Sequence, residues 1–261
     1  MSAYAHSFYA TFSNIAHPLP PNNFFHAKHF LFAAVRSNYQ ATASDFINTV
    51  PLPLMLQQFR PQIFTRVVWE ILLLNVVLFL ITLLLQNYKG IDLTDQFALY
   101  YPTLPEFRWY QLLTHMFMHG GFMHILLNMY GLWMLGTRLE SYWGANRFTF
   151  YYFACATGAF LMHWAMGYLG VSPASPVVGA SGAVVGLISA FAFLFPNTEF
   201  FMMFIPIPIK AKYLVFIMLG YDLLGAFYFH DNIAHFAHVG GMITGGAIML
   251  YWQKFDRNRF Y

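Results

Sequence analysis

Residues 176–191, PVVGASGAVVGLISAF, set Ser181 between Gly179 and Gly182 at the head of a run otherwise fit for lipid. Two readings compete for that serine. It is a small residue that lets two helices approach, as the Gly182-xxx-Gly186 spacing favours, or it is a nucleophile that works inside a membrane. A serine at a helix start more often caps or packs. The decision therefore rests on what the rest of the chain brings to it.

The first question is what solvent the chain folds in. Of its 261 residues, 59% are hydrophobic, 20% aromatic and only 9% charged, and the mean hydropathy is +0.51. A water-soluble domain carries roughly 25% charged residues, so most of this chain is read as lipid-embedded. The net charge of +3 comes from 13 Lys and Arg spread over loops. That distribution points to membrane orientation and not to nucleic acid. Cys155, the single cysteine, excludes a disulfide framework, a CxxC redox pair and a thiolate metal site, and reads as a small packed residue.

A hydrocarbon core about 30 Å thick needs about 20 mostly apolar helical residues to cross it. Six stretches qualify, near 67–86, 121–139, 148–170, 177–196, 211–229 and 233–252. The expected fold class is all-α, a polytopic bundle of six transmembrane helices. Segment 87–120 holds charges, prolines and aromatics and reads as an interfacial loop, with Tyr100, Tyr101, Trp109 and Tyr110 suited to the headgroup region. The stretch EFFMMFIPIPIK, 199–210, is short and broken by Pro206 and Pro208, and reads as an interfacial segment on the cytoplasmic side.

Eleven of the thirteen basic residues fall on one side of that arrangement, and only Lys89 and Arg108 on the other. Both termini are therefore expected in the cytoplasm, and the long first loop outside. The expected location is a bacterial cytoplasmic (inner) membrane. Residues 1–60 lack periodicity and the marks of a signal peptide. They read as a dispensable cytoplasmic extension, with Met55 as a candidate start, ahead of a functional domain at 61–261.

Polar groups within spans are costly and mark function by default. Here they converge. His124 and Asn128 stand four apart on one face of the second span, Ser181 opens the fourth, and His235 and His238 open the sixth. The topology delivers all five to the outer part of the bilayer. Acyl transfer needs a hydroxyl, a base in hydrogen-bond reach and donors aimed at the oxyanion. Ser181 with His238 could supply the first two, and the Asn128 amide, a His124 ring N–H and the Ser181 N–H the third. Gly182 and Gly186 on one helix, with Gly241 and Gly245 on another, would allow the necessary approach. Bland readings stand beside each feature. His124 and Asn128 could simply bridge two helices. His115, His119 and His124 could suggest a metal, yet no acid joins them. Glu70 and Asp222 read as snorkelling or interhelical partners, with Asp222 given little weight as an orienter of His238.

These residues resemble the rhomboid intramembrane serine proteases over about residues 67–252. HMFMHGGFMHILLN, 115–128, is similar to the family's HxxxHxxxxHxxxN and places His119, His124 and Asn128 at its positions. GASG, 179–182, resembles the nucleophile motif and points to Ser181. AHVGGMITG, 237–245, resembles AHxxGxxxG and selects His238 over His235 as base. GTRLESYWGANRF, 136–148, resembles the ExxxG turn, with Glu140 and Gly144. The resemblance implies a Ser181–His238 dyad without an acidic third member, an oxyanion hole of His124, Asn128 and the Ser181 N–H, and structural roles for His119, Glu140 and the glycines. It implies transmembrane protein substrates in a lipid bilayer, a movable fifth helix with FYFHDN as gate, and no metal, nucleotide or organic cofactor. The alternative is a catalytically silent rhomboid-like binding or trafficking protein, which usually lacks one dyad residue. Two departures stand out. Tyr110-Gln111 replaces the family's Trp-Arg, and Val185 replaces an aromatic expected against the catalytic histidine.

Overall fold

The computed structural model describes residues 63–256, apart from 174, 203–204 and 230–232. The expected extension 1–60, Met55, the basic residues Lys28, Arg36, Arg60, Arg257 and Arg259, and part of FYFHDN lie outside the described residues.

The first apolar run forms α1 (Arg66–Lys89). It stops where Gly90 takes the left-handed conformation at φ 65°, and the Gly90 and Ile91 N–H groups close onto the Gln86 and Leu85 carbonyls. Its start is capped from far away in sequence. The Glu140 carboxylate accepts from the Val67 and Val68 N–H groups at 2.9 Å each and from the Thr65 hydroxyl. Those N–H groups have no partner inside the helix, and an acid suits the positive helix end.

Short helices α2 (Leu93–Phe97) and α3 (Gln111–Thr114) lie in the first loop, with a 3-10 turn at His115–Phe117. Next come α4 (Phe122–Gly131), a π-helical turn at Leu132–Gly136 and α5 (Thr137–Trp143), run end to end. They are followed by α6 (Ala145–Tyr168) and α7 (Ser181–Leu194). After these stand the strands β1 (Glu199–Met202) and β2 (Ile205–Lys210), then α8 (Ala211–Tyr228) and α9 (His235–Phe255). Each of the six expected stretches thus carries helix. Of the described helices, α1 and α8 are by themselves long and apolar enough to cross a membrane. Helix α7, with 14 residues, rises only about 21 Å.

Segment 199–210, read as an interfacial stretch, is an antiparallel hairpin, with Glu199 opposite Lys210 and Phe200 opposite Ile209, within a mostly helical fold that is consistent with the expected all-α class. The two prolines that break a helix sit at alternate positions of β2. One edge of a two-stranded ribbon needs no N–H donors, so alternation accommodates both.

Polarity is turned outward-in relative to a water-soluble protein. Leu73, Leu74, Val76, Val77, Leu80 and Leu84 of α1, and Phe216, Ile217, Leu224 and Phe227 of α8, are exposed. Asn75, Asp222 and His235 are buried. An apolar outside around a polar-bearing inside fits a hydrocarbon solvent. Helix α9 packs against α6, α7 and α8, and the core around it contains Phe148, Tyr151, Tyr152, Leu187, Phe191 and Met249. The approach of α7 and α9 depends on missing side chains. A Cβ on Gly241 would stand 2.0 Å from the Gly182 carbonyl oxygen.

Candidate active site

The loop before α7 is fixed by backbone pairing. Leu99 and Val177 exchange N–H···O bonds of 2.9 Å in both directions, and the Gly179 N–H donates to the His115 carbonyl at 2.8 Å. The His163 ring meets the Ser175 carbonyl at 3.0 Å, and the Tyr101 hydroxyl donates to the His163 carbonyl at 2.8 Å. Tyr101, expected at the headgroups, is therefore buried, while Trp109 and Tyr110 are exposed. Because Val177 pairs with Leu99 and Gly179 turns at φ 103°, the helix starts at Ser181, four residues later than the span read from hydropathy. Ser181 is thus the first helical residue, and its N–H is among the donors that a helix start leaves unclaimed.

His238, the fourth residue of α9, brings its Nε2 to 2.9 Å from the Ser181 Oγ. The pair expected from separated motifs meets at hydrogen-bond distance. His235 lies on the same helix and does not share that contact. Its Nδ1 is 2.9 Å from Asp222 Oδ1.

The structure departs from expectation at Asp222. Its Oδ1 is also 2.8 Å from His238 Nδ1, and the residue is fully buried. Ser181, His238 and Asp222 are thus linked by hydrogen-bond contacts, with an acid behind the expected pair. The reason lies in how α8 docks. Gly225 has no side chain, and a Cβ there would stand 2.3 Å from the His235 ring. That close approach seats Asp222, one turn earlier, between two imidazoles. The signal available in the sequence was the acid itself in an apolar helix, three residues from a glycine.

On α4, the Gly120 N–H points at His124 Nδ1 at 3.4 Å, which leaves Nε2 to carry the ring proton. That Nε2 faces the loop before α7, since a Cβ on Gly179 would stand 2.6 Å from it. Asn128 is buried, and its Nδ2 donates to the His124 carbonyl at 2.9 Å. His119 packs edge-on against His124, with ring centroids 5.1 Å apart. Burial pushes the His119 imidazole down to about 4, so it is neutral near pH 7.

The Tyr110-Gln111 departure also finds its reason. Gln111 is buried, accepts from the Arg108 N–H at 3.0 Å, and donates to the Gln96 and Glu106 carbonyls at 3.2 and 3.1 Å. The amide ties the first loop together, while the Arg108 guanidinium reaches the nearby Pro105 and Phe107 carbonyls. Val185 is buried, and the aromatic rings near this histidine cluster belong to Tyr221 and Phe229, against His235.

Among the described residues, the group able to hold a metal ion is Asp222, His235 and His238, whose ligand atoms lie within 4.8 Å of one another. The His115, His119 and His124 trio weighed from the sequence is not such a group. The separations of 2.8 and 2.9 Å around Asp222 are those of ring N–H groups on a carboxylate, and the far nitrogen of His238 is engaged by Ser181.

The Rhomboid domain family model matches residues 106–255. The chain belongs to the rhomboid family. Its rhomboid relatives include Rhomboid protein 1, mitochondrial, of Saccharomyces cerevisiae, 29% identical over 139 residues that make up 53% of this chain and 40% of that protein. Rhomboid protease GluP of Bacillus subtilis is 32% identical over 139 residues, 52% of this chain and 25% of that protein. Rhomboid-like protease 3 of Toxoplasma gondii is 24% identical over 207 residues, 76% of each chain. The match thus spans less than half the length of the first two relatives. This rhomboid is accordingly a membrane protein of a serine protease family.

Proposed function

We propose that the chain is an intramembrane serine endopeptidase that cleaves transmembrane segments of other proteins. The observation that carries this reading is the 2.9 Å contact between Ser181 Oγ and His238 Nε2, at a helix start whose preceding loop is faced by the His124 ring. Ser181 gives its proton to His238 as the Oγ electron pair bonds to the scissile carbonyl carbon. The oxyanion that results is held by the Ser181 N–H, the His124 ring N–H and the Asn128 amide. The oxyanion collapses, the C–N bond breaks and His238 gives its proton to the leaving amine. A water, deprotonated by the same imidazole, then adds to the acyl carbon, and the Oγ–C bond breaks as His238 returns that proton to Ser181 Oγ.

The six helical stretches are proposed to span the bilayer, with α4, the π-turn and α5 acting as one span. Residues 61–261 form the working domain, and 1–60 a dispensable extension. Basic residues on one side favour cytoplasmic termini, and a bacterial inner membrane is the proposed location. A substrate backbone must unwind before a serine reaches its carbonyl, so segments with small and helix-weakening residues at the cut are the proposed preference. Labelling with a fluorophosphonate probe, alongside cleavage of model membrane substrates, tests the assignment. Parent protein should label and cleave, and Ser181→Ala should do neither. Equal labelling of both would overturn it.

A further inference from the structure

We propose that Asp222 is the positioning acid of this site, so that the protein works with a Ser181–His238–Asp222 triad, and that His235 holds the same carboxylate oxygen in place. This rests on the protease reading above. Asp222 Oδ1 lies 2.8 Å from His238 Nδ1, while His238 Nε2 lies 2.9 Å from Ser181 Oγ. A carboxylate can only accept, so the contact fixes the His238 proton on Nδ1 and leaves Nε2 as the acceptor that Ser181 needs. With the other tautomer, Nε2 would carry a proton and could take none.

A second imidazole holds the same oxygen. His235 Nδ1 reaches the same oxygen at 2.9 Å, and its ring is enclosed by Tyr221 and Phe229, with centroids 5.7 and 6.0 Å away. Two donors from one helix converge on one oxygen of a fully buried acid. That arrangement aims the acid at His238 where Val185 supplies no ring to brace it. When Ser181 Oγ attacks, its proton moves to His238 Nε2 and the carbonyl π pair moves to the oxyanion. The Nδ1 proton stays on His238, and Asp222 faces the resulting imidazolium without taking a proton.

The experiment compares parent, Ser181→Ala and Asp222→Asn in detergent, reading kcat and KM for a membrane substrate, fluorophosphonate labelling rate and thermal unfolding. An asparagine keeps the size and a hydrogen bond to the ring but can donate to Nδ1 and reverse the tautomer. The expected result is a kcat loss of about 10²- to 10⁴-fold with KM within about threefold and unfolding close to the parent's. A merely structural tie between α8 and α9 would lower the unfolding midpoint and leave kcat per folded molecule near that of the parent. That outcome overturns the inference while Ser181→Ala, inactive, upholds the protease reading. Labelling retained in Ser181→Ala would instead remove the reading itself. Imidazole ¹⁵N NMR of the parent, with His235→Asn for resonance assignment, tests the same point without relying on the Asp222 variant. His238 should be the Nδ1–H tautomer, and the Nε2–H tautomer would refute the proposal.

Discussion

Adding one methyl group at Gly241 should disable the site without touching any reacting atom. A Cβ there would stand 2.0 Å from the Gly182 oxygen, 2.9 Å from its carbonyl carbon and 3.3 Å from its Cα. All three are backbone atoms of α7, which cannot rotate away as a side chain would. Separating the helices by about 1 Å is the least that relieves the clash, and overpacking of this kind costs about 1–3 kcal/mol. The same displacement carries Ser181, next to Gly182, away from His238. Their 2.9 Å hydrogen bond would open to about 4 Å, and a misplacement of about 1 Å costs on the order of 10²-fold in rate. The assay is kcat for cleavage by Gly241→Ala, normalised to folded protein, with Gly246→Ala as control. Nothing lies within 4 Å of a Cβ at Gly246, so that variant should match the parent. Gly241→Ala retaining kcat within about threefold would refute the claim that this helix contact sets the catalytic geometry.

Two further outcomes follow from groups outside the site. Glu140→Ala strips three hydrogen bonds from the start of α1 and should cost about 3 kcal/mol of stability, read as a lowered unfolding midpoint; an unchanged midpoint would deny it the capping role. Burial pushes the His115 imidazole from 6.5 down to about 4, so the unfolded chain binds the extra proton between those values. Its contribution to stability is full above about pH 6.5 and lost as pH falls to about 4, about 3 kcal/mol in all. His119 adds to the same slope. Chemical unfolding across that range should be less pH-dependent in His115→Gln, and an identical slope would refute the assignment.

The parts of the fold legible in the sequence were those written in local pattern. Apolar runs located the helices, and the Ser181, His124, Asn128 and His238 positions followed from a spacing of four or from separated motifs. Residues whose role depends on tertiary docking were harder to read. Asp222 looks the same in sequence whether it snorkels, ties helices or faces a base, because the rotation of α8 is set by Gly225 against His235. Gln111 could not be recognised as the loop anchor, since its partners are backbone carbonyls 5 and 15 residues away. The late start of α7 depends on the Leu99–Val177 pairing, across some 80 residues of sequence. The interfacial reading of 199–210 assigned that stretch no hairpin. Its prolines were weighed as helix breakers, although their alternation is a strand-compatible period.

The oxygen shared by His235 and His238 also governs how α9 is turned about its axis. A single tether between two rods lets each spin about its own axis, whereas two tethers three residues apart on one rod do not. Asp222 therefore acts as an angular stop for α9. Each residue of a helix advances it by about 100°, so a one-residue insertion between Ala234 and His235 would leave the helix intact. It would nonetheless force a choice between its loop connection and the heading of the base.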